Sequence, residues 1–166
     1  MLAFAFVLVA GVCGDSVTWS DPVGPNAPWG IHIAYGAEES TQMTIQWSTR
    51  AAVQESIVTL LAPTAKNVSG TTEQFSNNGN IQMIHKVFLQ NLAPATKYTY
   101  TCGSSTEQSE VFSFTTQAAA PTSYTLAIWG DMGISANALS TMPLLLKDIE
   151  DGEVDVLVHV GDAACG

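Results

Sequence analysis

Leu92-Ala93-Pro94-Ala95-Thr96-Lys97-Tyr98-Thr99-Tyr100 is the stretch that decides the fold. Leu92, Pro94, Thr96 and Tyr98 stand at alternate positions and lead into a segment of period two. Ala93-Pro94 supplies the turn, because the proline ring presets φ for it. A tyrosine at the mouth of the strand that follows can bury its ring and return its hydroxyl to the backbone at the corner. That arrangement pins one sheet over another, so the stretch predicts a β-sandwich.

Working outward, the same period recurs upstream. Met43, Ile45 and Trp47 alternate with Thr44, Gln46 and Ser48, the pattern of a half-buried strand, and Ile31, Ile33 and Tyr35 alternate with His32 and Ala34. Further β-type runs fall at 56–61, 73–75, 81–89, 97–102 and 110–115. Turn signals separate them: Gly36-Ala37-Glu38-Glu39, Ala62-Pro63, Asn77-Asn78-Gly79 and Ala93-Pro94. Short strands with such punctuation and no helix among them indicate an antiparallel sandwich, here over residues 25–117. His32 and His85 fall inside it and read as structural. The tyrosine corner together with the Trp47 strand resembles a fibronectin type III domain, and the fold class expected is mostly β.

After residue 117 the grammar changes. Gln117-Ala118-Ala119-Ala120-Pro121-Thr122 has no periodicity, and residues 118–122 read as a linker. Residues 124–129 form a nearly continuous apolar strand of the kind covered on both faces of a parallel sheet. Thr141-Met142-Pro143 starts a helix in this reading, with Thr141 or Ser140 as its cap and Pro143 in the first turn. Leu144, Leu145 and Ile149 face the sheet, Gly152 ends the helix, and 154–160 is a second buried strand. Strand, helix, strand is a βαβ unit, an incomplete α/β segment over residues 123–166.

Both of these strands run into Gly-Asp: Gly130-Asp131 after the first and Gly161-Asp162 after the second. A right-handed crossover makes the strands parallel, so both carboxylates leave at the same edge, where open α/β sheets bind ligands. Neighbouring strands lie about 4.8 Å apart, and two anions that close repel unless a cation sits between them. Asp131 and Asp162 are therefore candidate metal ligands. The fingerprints of nucleotide binding and of the serine-hydrolase elbow are absent from the sequence. His159 lies inside the second strand and reads as a core or supporting residue, not a ligand.

A fibronectin-III-like sandwich, then Leu126-Ala127-Ile128-Trp129-Gly130-Asp131-Met132-Gly133, a helix with an early proline and Asp155-Val156-Leu157-Val158-His159-Val160-Gly161-Asp162 together resemble a purple acid phosphatase of the high-molecular-weight plant and animal type. The resemblance covers nearly everything after Pro25 and makes 123–166 the truncated start of a calcineurin-like metallophosphoesterase domain. It implies hydrolysis of phosphate monoesters at acidic pH by a binuclear site. That site would hold Fe(III) and a second divalent ion (Fe, Zn or Mn), with Asp131 on the ferric ion and Asp162 bridging the two. Where the family carries an iron-binding tyrosine, this sequence has Cys165, a softer ligand. The Asn and His ligands of the family's later motifs lie past Gly166. The expectation is thus the amino-terminal portion of such an enzyme, without a complete catalytic set and inactive by itself. The alternative is a non-catalytic fibronectin-type binding module with a vestigial tail.

The rest of the sequence bounds the setting. The run from Leu2 to Ala10 is apolar, too short for the roughly 20 residues of a bilayer span, and is followed by small residues at Val12 and Gly14. It reads as a signal peptide, residues 1–14, set against a buried first strand. Secretion to an extracellular or lysosomal compartment follows. There Asn67-Val68-Ser69 is a glycosylation sequon, and Cys102 and Cys165 could pair. The formal net charge of −10, with five Lys and Arg against fifteen Asp and Glu, leaves no basic patch for nucleic acid or anionic lipid. The partner implied by the resemblance is a phosphate monoester.

Overall fold

The computed structural model describes residues 4–5, 24–77, 80–120, 123–130 and 136–160. The chain divides into two compact units, Val7–Ala119 and Met1–Phe6 with Ala120–Gly166.

The larger unit is the sandwich. Numbering strands along the chain, β1 is the two-residue Phe4–Ala5, and the sandwich strands are β2 Trp29–Tyr35, β3 Met43–Thr49, β4 Ile57–Ala62, β5 Lys66–Ser69, β6 Thr71–Asn77, β7 Asn80–Leu89, β8 Lys97–Gly103 and β9 Phe112–Thr115. One sheet carries β2, β3, β7 and β6 side by side, and the other has the order β5-β4-β8-β9. The pairings within both layers are antiparallel. Consecutive strands cross from one sheet to the other at β3–β4, β5–β6 and β7–β8, which makes a Greek key.

Alternation supplies the core. On β3, Met43, Ile45, Trp47 and Thr49 point inward and are all buried, as are Val58 and Leu60 on β4, Val87 and Leu89 on β7, and Tyr98, Tyr100 and Cys102 on β8. The predicted corner is present: the Tyr98 ring is buried and stacks on Phe114 with centroids 5.4 Å apart, while the Ala93 N–H donates to its hydroxyl at 2.7 Å. Trp47 is 1% exposed and lies directly opposite His85 across the β3–β7 ladder. The two rings stack with centroids 5.1 Å apart and planes 7° from parallel.

The structure adds one strand to the expected set. β5, Lys66–Ser69, has a single apolar residue and so no pattern to announce it; its pairing with β4 defines it. Gly70 then carries the chain to the other sheet. A Cβ there would come within 2.0 Å of the Lys86 carbonyl oxygen, so only glycine permits the approach.

In the smaller unit, β10 Leu126–Trp129 and β11 Val156–His159 form a parallel pair linked by helix α1, Ala136–Glu150. Gly152, with φ +74°, follows the helix, and the Glu153 N–H donates to the Asp148 carbonyl at 2.9 Å, so the stop falls where expected. The start does not. The helix begins at Ala136, ahead of Ser140 and Thr141, and Pro143 lies inside it. Ala, Asn and Leu before Ser140 extend the helix, and Pro143 forfeits one backbone bond within it. The apolar stripe also differs from the expected one in part. Met142, Leu145, Leu146 and Ile149 are half-buried at helical spacing, whereas Leu144, expected to face the sheet, is 65% exposed. With one crossover helix to cover strands of a kind usually buried on both faces, Leu126 and Ile128 are 51% and 59% exposed.

Candidate metal centre

The β10–β11 pair sets the geometry at the candidate site. Leu126 pairs with Val156, Ala127 with Leu157, Ile128 with Val158 and Trp129 with His159. The Val160 N–H donates to the Trp129 carbonyl at 2.8 Å, carrying the ladder past the end of β11. At the opposite end the Thr125 N–H donates to the Asp155 carboxylate at 2.8 Å, and the Asp155 N–H to the Thr125 carbonyl at 3.0 Å. The strands are thus fixed in parallel register at both ends.

Asp131, Asp162 and Cys165 lie outside the described residues. Along the chain Asp131 is the second residue after Trp129, while Asp162 is the third after His159. Counted from the paired Trp129 and His159, the second motif thus begins one residue later in the sequence than the first. Among the described residues, no three His, Cys, Asp or Glu side chains gather in a way that could hold a metal ion.

The titratable groups of the sandwich are employed otherwise. His85, 0% exposed, has Nε2 at 2.9 Å from the Thr49 hydroxyl and Nδ1 at 2.9 Å from the Ser56 hydroxyl. Carbonyl oxygens also lie within reach of these hydroxyls: Ala51 3.0 Å from Thr49, Thr71 2.9 Å from Ser56, and Gln54 2.8 Å from Thr72, itself 2.7 Å from Ser56. The neutral ring donates from one nitrogen and accepts a hydroxyl proton at the other. Burial holds the imidazole below its ordinary pKa. This is a satisfied core histidine, in line with the structural role expected of it. His32 places Nδ1 2.8 Å from the Gly30 carbonyl oxygen, a local contact of the same kind.

Sequence reasoning did not find the polar cluster of Thr49, Ser56 and Thr72, since nothing local marks residues so far apart as neighbours. Cys102 is fully buried and free, and burial pushes its thiol up to about 12, so it is an inert core residue. A cavity of about 300 Å³ at one end of the sandwich is lined by Leu60, Pro63, Lys66, Leu92 and Tyr98 among others. It has no cluster of acids or bases and therefore no evident catalytic chemistry.

Comparison with known proteins resolves what this arrangement belongs to. A family model described as the purple acid phosphatase N-terminal domain matches residues 28–116, the span of the sandwich. The chain is 35% identical over 144 residues to acid phosphatase type 7 of Mus musculus, covering 82% of this chain and 32% of the relative. It is 27% identical over 154 residues to the Fe(3+)-Zn(2+) purple acid phosphatase 12 of Arabidopsis thaliana, covering 89% and 32%. The fold is similar to that of purple acid phosphatase PPD1 from yellow lupin (Lupinus luteus) seeds, with a TM-score of 0.68 at 20% identity, over 86% of this chain and 30% of that one. The chain spans about a third of the length of these relatives. With the sandwich matched and the parallel pair behind it, the chain belongs to the purple acid phosphatase family.

Proposed function

We propose that this chain is the amino-terminal part of a secreted binuclear-metal acid phosphatase that hydrolyses phosphate monoesters. Residues 1–14 are its leader, 25–117 its sandwich, 118–122 a linker and 123–166 the opening of the phosphoesterase domain. One observation carries the reading: a registered parallel pair, β10 and β11, with a Gly-Asp beyond the same end of each strand. The bare face of that pair supports it too. Leu126 and Ile128 would be covered once further strands and helices of the domain pack around them.

The donor chemistry fits a share of the family's metal pair. Asp131 and Asp162 offer hard carboxylate oxygens suited to a ferric ion and to a divalent partner, whereas the Cys165 thiolate is softer and suits zinc better than Fe(III). The glycines before each aspartate let the backbone turn at the strand ends and leave room for an anionic substrate beside them. The metal pair, when bound, supplies the Lewis acidity for phosphoryl transfer. A catalytic ion needs about three protein ligands, so these residues alone do not make a working site, and the 166 residues by themselves are inactive.

The test is a chimera in which this chain replaces the matching first third of mouse acid phosphatase type 7. Hydrolysis of a chromogenic phosphate monoester at acidic pH, abolished by Asp131→Asn or Asp162→Asn, is the expected result. A chimera that keeps its activity with both asparagines would remove the two carboxylates from the mechanism. Turnover by the unmodified chain above a metal-only blank would overturn its inactivity. Cys165→Tyr in the chimera should bring a visible charge-transfer band that the cysteine form lacks.

A further inference from the structure

Asn67-Val68-Ser69 falls within β5, the outermost strand of the β5-β4-β8-β9 sheet. Val68 pairs with Val58, whose side chain is buried in the core, so Val68 points inward. Asn67 pairs with Thr59 and Ser69 with Ile57, both on the outer face. Successive residues of a strand alternate faces, and the strand therefore puts Asn67 and Ser69 on the same outward side. Both are exposed. No other Asn-x-Ser or Asn-x-Thr occurs in the sequence.

The edge itself needs cover. Among the described residues β5 pairs with β4 and with no other strand, so one side of its backbone is open. The outer face beside it is poor in charge: Ile57, Thr59, Leu61, Thr99 and Thr101 project there, with Lys97 at the start of β8 as the one charge on that face of the strand, and Leu61 is exposed. A charge-poor surface rich in β-branched residues, ending in an open strand, is a template for pairing with another chain. On β5 only Lys66 carries a charge that opposes such pairing.

We propose that Asn67 carries an N-linked glycan that covers the open edge and outer face of this sheet. The step is transfer from a polyprenyl-diphosphate-linked oligosaccharide. The Asn67 amide nitrogen bonds to the anomeric carbon of the sugar and gives up one proton, while the carbon–oxygen bond to the diphosphate breaks and that oxygen keeps the electron pair. Transfer acts on the extended chain before folding is complete, and the folded strand then tolerates the product, because Asn67 projects into solvent and its side chain makes no hydrogen bond among the described residues. A large hydrophilic group fixed there bars a second strand from the edge without touching the core.

The inference rests on the secreted reading, and one experiment separates the two. The full chain is translated with endoplasmic-reticulum microsomes and followed by protease protection and gel mobility. A protected chain whose mobility shift disappears with peptide N-glycosidase, and with Asn67→Gln or Ser69→Ala but not Ser69→Thr, is the expected result. A protected chain without the shift overturns the glycan and leaves secretion standing. An unprotected chain overturns both, since the acceptor never meets the transferase. Sedimentation of the secreted protein before and after enzymatic removal of the glycan tests the cover: self-association should rise on removal, and an unchanged profile would refute that role.

Discussion

Removing one oxygen atom from the corner tests how the sandwich is held. In Tyr98→Phe the ring keeps its buried place and its stack on Phe114 at 5.4 Å, and only the acceptor for the Ala93 N–H, now at 2.7 Å, is lost. The net worth of such a bond is about 0.5–1.5 kcal/mol, and a buried donor left without a partner costs about 1–3 kcal/mol. The Ala93 N–H is only partly buried. The loss should therefore fall near ~1–2 kcal/mol, which for a domain of this size lowers the melting point by about 4–8 °C per kcal/mol. The same strand provides a matched control. Tyr100 is equally buried and lies 5.8 Å from the same Phe114, but its hydroxyl makes no hydrogen bond among the described residues. Tyr100→Phe should move stability by less than about 0.5 kcal/mol, the usual range where no specific interaction is lost. Urea unfolding of the full chain, followed by circular dichroism, compares the two at constant m. Equal losses for both variants would show that the hydroxyl bond does not pin the corner, and that ring burial alone holds Tyr98.

Two further outcomes follow from the same structure. Burial depresses the pKa of His85 in the folded state, while an unfolded histidine titrates near 6.5. The unfolded chain thus binds the extra proton first as pH falls below about 6.5, so His85 contributes stability that is present above that pH and lost as pH falls toward its own lower pKa. Urea midpoints should fall between pH 7.5 and pH 5, and His85→Gln should lessen the slope; an unchanged slope would assign the pH dependence to other groups. Hydrogen exchange should divide the chain: strong protection at the β3–β7 ladder, and weak protection at β10 and β11, whose two-stranded sheet is below the size that is stable alone. Protection at Val156–His159 matching that at β7 in a monomeric sample would refute this.

What the sequence revealed and what it hid have one cause. Met43, Ile45 and Trp47 announced their strand because they stand in a row on one face, interrupted only by Thr49 at its end, while Thr44, Gln46 and Ser48 make the other face polar. β7 has apolar residues on both faces, Met83, Val87 and Leu89 on one side and Ile84 and Phe88, mixed with Gln82 and Lys86, on the other. Only its pairing with β3 shows which side is core, and so that His85 is buried against Trp47. β5 was invisible for the opposite reason: its backbone bonds to β4, not its side chains, make it a strand. The candidate site follows the same rule. Two Gly-Asp motifs are legible because each follows an apolar run that reads as a strand, but the register of those strands is set by the non-local pairing of Trp129 with His159. The apolar runs also state a demand for burial that the described residues leave unmet at Leu126 and Ile128. A strand buried on both faces and one left bare carry the same sequence signal, since composition records what the finished sheet must cover. The excess of apolar surface on β10 is therefore a physical argument for packing partners beyond the described residues.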